Sequence, residues 1–140
     1  MRLLGIDYGD RRIGLAIGDT DVGIAMGLPT LERPSPATDV TEPLRRICRE
    51  QGIQRIIVGL PVNMDSTHGE RARLSLAFVQ SLRNALGIEV EAYDERLTTQ
   101  QADRAMLEGN LSRKKRQARV DRLAAQLLLQ SYLDAMRGPK

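Results

Sequence analysis

Large and small uncharged residues alternate along two neighbouring stretches of the chain. In residues 13–18, Ile13, Leu15 and Ile17 are large while Gly14, Ala16 and Gly18 are small. In residues 22–28, Val22, Ile24, Met26 and Leu28 alternate with Gly23, Ala25 and Gly27. A period of two predicts strands. Since neither face carries charge, the sheet they join is expected to be covered on both sides. Its small-residue face should admit another element at close range. Before them, Leu3-Leu4-Gly5-Ile6 predicts a strand that reaches Asp7. Asp7 shares parity with Leu3 and Gly5, which leaves its face open.

The pattern changes after Glu32-Arg33-Pro34-Ser35-Pro36-Ala37, a Pro-rich loop. Val40, Leu44, Ile47 and Cys48 predict a helix ending near Gly52, and Ile53 to Val58 a buried strand stopping at Gly59-Leu60-Pro61. Thr67-His68-Gly69-Glu70 has capping-box spacing and predicts a helix from there through Leu86, closed by Gly87. Ile88 to Tyr93 predicts a strand that ends in Asp94-Glu95-Arg96. Thr98-Thr99-Gln100-Gln101 repeats the capping-box spacing and predicts a short helix to about Glu108. Beyond Gly109-Asn110, Val120, Leu123, Ala124, Leu127 and Leu128 predict a long helix. Three strands followed by strand–helix alternation imply a mixed sheet with helices on both faces, in one α/β domain spanning 1–140.

Composition narrows the class. At 140 residues, 41% hydrophobic and 28% charged, the chain suits one globular domain with a single core. Its longest apolar run, around Ile56-Ile57-Val58, is far too short to span a bilayer, and the N-terminus lacks a signal-peptide pattern. A cytoplasmic chain without membrane association is the expectation. Cys48 is the only cysteine, which rules out an intrachain disulfide and a cysteine metal cluster. It is expected to line the core face of its helix.

The formal charge of +3 and pI near 9.4 fit nucleic-acid binding without requiring it. The distribution is more telling. Arg113, Lys114, Lys115, Arg116, Arg119 and Arg122 fall within ten residues. Alone, such a run reads as a solvated helix start. With 3% aromatic residues a base-stacking platform is not expected, so a nucleic acid would be held through its phosphates.

In α/β sheets, ligands gather beyond the C-terminal ends of parallel strands. Asp7 ends the first predicted strand and Glu95 follows the last, so parallel strands would bring them to one sheet edge. Asp121 follows Val120 and borders the apolar stripe of the long helix, about 100° round from it. Ala124 and Ala125 follow within a turn, so this part of the helix can press closely on a sheet. Three clustered carboxylates repel unless a cation compensates. With no cysteine cluster and a single histidine, His68, the expected cation is Mg²⁺ or Mn²⁺. Such a site activates water for phosphodiester cleavage. Gly9 leaves room for a phosphate or a backbone beside Asp7, and Arg11 and Arg12 are available to nearby phosphates. Each acid also has an ordinary reading: Asp7 in a turn, Glu95 paired with Arg96, Asp121 favoured by a helix dipole. Asp94 competes with Glu95, and strand parity does not separate them. His68 reads as a surface histidine in a helix cap.

Together the motifs resemble one family. Gly5-Ile6-Asp7-Tyr8-Gly9 with Arg12-Ile13-Gly14, Val58-Gly59-Leu60-Pro61 with Asn63-Met64-Asp65, Asp94-Glu95-Arg96-Leu97-Thr98-Thr99, and Asp121 with Ala124-Ala125 and Leu129 to Asp134 follow its order. The chain resembles the YqgF/RuvX-type pre-16S rRNA nucleases, also described as Holliday junction resolvases, over nearly its full length. The resemblance implies an RNase H-like fold of five strands with the second antiparallel. It also implies an acidic triad of Asp7, Glu95 and Asp121, and so favours Glu95 over Asp94. Ser66 stands where the family usually has glycine, which touches the turn before the second helix and not the triad. Related resolvases often carry a fourth acid one turn after the last; here that turn offers Ala124 and Ala125, which implies weaker or substrate-dependent metal binding.

The expected function is therefore metal-dependent cleavage of structured RNA, at the 5′ end of precursor small-subunit rRNA, with ribosomal precursor particles as possible partners. Arg12, Arg96, Arg113, Lys114, Lys115, Arg116 and Arg119 would position the nucleic-acid backbone. The alternatives are the same chemistry on four-way DNA junctions, which calls for a homodimer, and a non-catalytic RNA-binding assembly factor. A sugar-kinase or actin-like ATP-binding fold shares a strand-Asp-x-Gly turn. It needs two such domains, and 140 residues supply one.

Overall fold

The computed structural model describes residues 1–60 and 69–94, the helix backbone over 113–137 and its side chains over 122–136. The predicted helix to about Glu108, His68 and the second predicted capping box lie outside those residues.

Strand β1 (Arg2–Tyr8) runs antiparallel to β2 (Arg12–Asp19), which pairs antiparallel with β3 (Ala25–Glu32). Helix α1 (Thr41–Gln51) then crosses to β4 (Arg55–Leu60), and α2 (Glu70–Leu86) to β5 (Glu89–Asp94). Both β4 and β5 run parallel to β1. The sheet order is β3-β2-β1-β4-β5, and helix α3 (Arg113–Arg137) closes the opposite face. This five-stranded mixed sheet with an antiparallel second strand is the expected RNase H-like arrangement. Among the described residues no helix is long and apolar enough to cross a membrane.

The alternation seen in the sequence sorts the two faces. Leu4, Ile6, Ile13, Leu15, Ile56, Val58 and Val90 face α1 and α2, where Leu44, Val79 and Leu82 complete the larger core. Cys48 packs on that core at a half-buried position. The opposite face holds Leu3, Ala16, Ala25 and Ile57 against Ala125, Leu129, Tyr132 and Leu133 of α3. Its small residues set a close approach. A Cβ on Gly5 would lie 2.9 Å from Leu129 Cβ, and one on Gly18 would lie 2.9 Å from Leu133 Cδ1. The α3 side chains also tie down the start of the edge strand. Gln130 accepts from the Ala25 N–H at 2.9 Å and donates to the Gly23 carbonyl at 2.9 Å.

Three local expectations change. The third strand occupies 25–32, not 22–28, because a turn holds 20–22, with the Gly23 N–H bonded to the Asp19 carbonyl at 2.7 Å. Coverage also fails at that edge. Val22, Ile24 and Met26 are exposed. Finally, α2 starts at Glu70 with extended Gly69 as its N-cap and no side-chain capping bond, so Glu70 is its first residue and cannot be the third of a capping box. Its far end is as read, with Gly87 left-handed at φ 67° and its N–H bonded to the Arg83 carbonyl.

Candidate active site

The central strand β1 delivers Asp7 to the C-terminal edge of the sheet, where β4 and β5 also end. Alternation along β1 decides its face. Tyr8 points to the α2 side, with its ring stacked on Phe78 at 4.0 Å between centroids. Asp7, with the opposite parity, belongs to the face of Gly5 and α3. It is half-buried.

The neighbours of Asp7 in the sheet have no side chains. Gly14 is its Cα partner on β2. On the other side Ile6 pairs with Val58, so Gly59 continues the row beyond it. Gly59 in turn pairs with Tyr93 of β5, which puts Tyr93 in the same row. Tyr93 lies on the α3 face, its hydroxyl 3.1 Å from Ser131 Oγ and its ring edge-on to Tyr132. Asp94 therefore has the parity of the opposite face, with Val90 and Ala92.

Helix α3 runs antiparallel to β1. Leu133 sits over Gly18, the partner of Leu3, while Leu129 and Ala125 sit over Gly5. One further turn towards the helix start is residue 121, a rise of about 6 Å. Two residues further along β1 is Asp7, an advance of about 6.6–6.8 Å. The start of α3, which carries residue 121, thus runs from Gly5 towards the sheet edge at which Asp7 stands.

The other predicted site residues divide plainly. Glu95 and Arg96 lie outside the described residues. Arg113, Lys114, Lys115, Arg116 and Arg119 form the first turns of α3, with side chains outside the described set, as is that of Asp121. Arg12 opens β2, half-buried, with Glu32 as its Cα partner on β3. Among the described residues no three carboxylate, histidine or cysteine side chains come together.

A sharp turn follows Asp7. The Cβ of any residue replacing Gly9 would lie 2.4 Å from the Arg12 carbonyl oxygen. The backbone that glycine admits here is thus the chain's own. Arg33 secures this turn. Its N–H bonds to the Arg11 carbonyl at 2.9 Å, and its Nη2 donates to the Gly9 carbonyl at 2.7 Å. In the sequence Arg33 is one more residue of a Pro-rich loop; nothing in its neighbours signals that it is only 5% exposed.

The family model described as "RuvX: Holliday junction resolvase" matches residues 1–135. Among curated relatives, a protein of Clostridium novyi (strain NT) named "Putative pre-16S rRNA nuclease" is 46% identical over 136 residues, covering 97% of this chain and 100% of the relative. One of the same name from Pelotomaculum thermopropionicum is 39% identical over 140 residues, covering 100% and 91%. Among solved structures, T. thermophilus RuvC in complex with Holliday junction substrate aligns with a TM-score of 0.56 at 18% identity, covering 99% of this chain and 96% of that one. The fowlpox virus resolvase bound to Holliday junction DNA aligns with a TM-score of 0.57 at 13% identity, covering 97% and 99%. At such identities these two matches establish the fold.

Proposed function

The chain belongs to the RuvX family, and from that premise we propose that it is a metal-dependent nuclease processing the 5′ end of precursor small-subunit rRNA in the cytoplasm. The observation that supports the reading is that Asp7 stands at the sheet edge where the parallel strands end, on the face along which α3 runs. Glu95 is the third acid that the family resemblance implies, and Asp94, its competitor in the sequence, has the parity of Val90 and Ala92 on the opposite face.

Asp7, Glu95 and Asp121 would hold Mg²⁺ or Mn²⁺. The fit rests on chemistry and room. Carboxylate oxygens suit hard divalent cations, and the rows beside Asp7 carry glycine on both flanking strands. A bound divalent ion supplies Lewis acidity and an activated water for phosphodiester hydrolysis. The chain's own contribution is to hold negative charge at one fixed edge and to orient the nucleic acid. Arg12 and Arg96, with Arg113, Lys114, Lys115, Arg116 and Arg119 at the start of α3, would contact phosphates. Such contacts position the backbone and make binding weaken with added salt.

The description of the family as resolvases favours a second substrate, the four-way DNA junction. Both are tested together, by cleavage of labelled precursor rRNA and of a four-way junction with Mg²⁺ or Mn²⁺. The Asp7→Asn variant is the control. Changes outside the direct ligand set already cost about 10–100-fold in metal affinity or activity, so Asp7→Asn should fall to or below ~1% of wild type. Which substrate is cut decides between the two readings. Junction resolution also requires two symmetric cuts, so a strictly monomeric protein in sedimentation counts against it. If wild type cuts neither substrate while salt-sensitive binding survives, the protein is an RNA-binding assembly factor instead.

A further inference from the structure

Arg33 is a buried cation. It is 5% exposed, and among the described residues no carboxylate pairs with it. Among the described residues its Nε has no hydrogen-bond partner. Its Nη1 makes only a long contact, 3.4 Å to the Thr38 carbonyl. A guanidinium in such a place is unfavourable to the fold, and an apolar side chain of similar volume would often serve stability as well. What Arg33 supplies is geometry.

All of its stronger contacts converge on the segment that follows Asp7. Nη2 holds the Gly9 carbonyl at 2.7 Å, and the backbone N–H holds the Arg11 carbonyl at 2.9 Å. The guanidinium lies over the Tyr8 ring, 4.8 Å from its centroid, while Phe78 stacks on that ring at 4.0 Å. Tyr8 is thus gripped between an arginine and a phenylalanine on the α2 side. Because neighbouring strand residues face opposite ways, fixing Tyr8 fixes the direction in which Asp7 leaves the strand. The Asp10–Arg71 pair, 3.4 Å apart with both side chains largely exposed, adds little by comparison.

We propose that Arg33 is a positioning residue of the Asp7 site: it acts on the carboxylate through Tyr8 and the Gly9 carbonyl, without touching substrate. The inference rests on the nuclease reading for its catalytic consequence, and on the contacts alone for its effect on the turn.

The test compares wild type, Arg33→Met and Arg33→Lys by three measurements. These are amide hydrogen exchange of residues 7–12 in metal-free protein, thermal unfolding, and steady-state cleavage with Mn²⁺. Arg33→Met should unfold near the wild-type temperature while exchange in residues 9–12 accelerates relative to the rest of the sheet. Its kcat should fall by about 10–100-fold with KM little changed, as a displacement near 1 Å can produce. Arg33→Lys keeps a donor for the Gly9 carbonyl and should recover part of both losses. Wild-type kcat and wild-type exchange in Arg33→Met would overturn the proposal. So would faster exchange spread evenly over the sheet, which marks a general structural role. If Arg33→Met fails to fold, Arg33→Lys carries the same comparison. A wild type that cleaves nothing sinks the nuclease reading, while the exchange data still decide whether Arg33 holds the turn.

Discussion

A single methyl group tests the packing that brings α3 to the sheet. In Gly5→Ala the new Cβ would lie 2.9 Å from Leu129 Cβ and 3.4 Å from the Ala125 carbonyl oxygen, where ordinary contact begins at 3.4 Å. Leu129 Cβ is bonded directly to the helix backbone, so relief requires the helix itself to move by about half an ångström or more. Overpacking of this kind costs about 1–3 kcal/mol. Replacing glycine inside a strand returns about 0.5–1 kcal/mol. The net expectation is a loss of about 0–2.5 kcal/mol, or up to roughly 10 °C in Tm for a chain of this size. Gly27→Ala is the informative control. Its Cβ would come even closer to a neighbour, 2.5 Å, but the neighbour is Cγ of the exposed Arg122, which can swing away. Urea unfolding of the two variants and wild type should therefore rank Gly5→Ala as the more damaging. Cleavage measured well below the unfolding temperature should also fall further for Gly5→Ala, because the shifted helix carries Asp121. Gly27→Ala as the worse of the two would falsify the packing account.

Two further outcomes follow from titratable groups. Burial pushes the Cys48 thiol from 9.0 to about 11, so at mildly alkaline pH its thiolate fraction, and its alkylation rate, should be about a hundredfold below that of the unfolded chain. The raised value means that this contribution to stability is present below the ordinary thiol range and is lost as pH rises through about 11; equal alkylation rates in folded and urea-unfolded protein would contradict it. Tyr132 titrates above the ordinary phenol range because burial disfavours the phenolate and its hydroxyl donates to Glu91 at 2.8 Å. Its contribution to stability is thus lost only in strongly alkaline solution, and Tyr132→Phe should remove a late step from the ultraviolet titration at a cost of about 1 kcal/mol. A titration curve unaltered by that substitution speaks against the Glu91 bond.

Much of this protein is local and therefore legible along the chain. Alternation in 13–18 marks a strand because side chains in extended backbone leave on opposite sides, whatever lies above them. Gly52 and Gly87 mark helix ends because only a residue without Cβ adopts their left-handed conformation cheaply, at φ 64° and 67°. The oxygen-rich chemistry expected of Asp7, Glu95 and Asp121 likewise follows from residue types alone. What a strand faces is another matter. Gly18 and Gly27 look alike in sequence, yet one is pressed by a buried leucine and the other by the stem of an exposed arginine. Val22, Ile24 and Met26 have the composition of a buried strand and stand exposed, because helix placement over a sheet depends on the whole chain. Parity could not assign a face to Asp94 until the hydrogen bond between the Tyr93 and Ser131 hydroxyls put the neighbouring position on the α3 side. Arg33 is the extreme case. Its partners Gly9 and Tyr8 lie 24 and 25 residues away, and only the pairing of strands brings a loop arginine beneath the turn that follows Asp7. Sequence carries the periods and the chemistry; which groups meet is decided by tertiary packing, since that packing couples residues with no local signal in common.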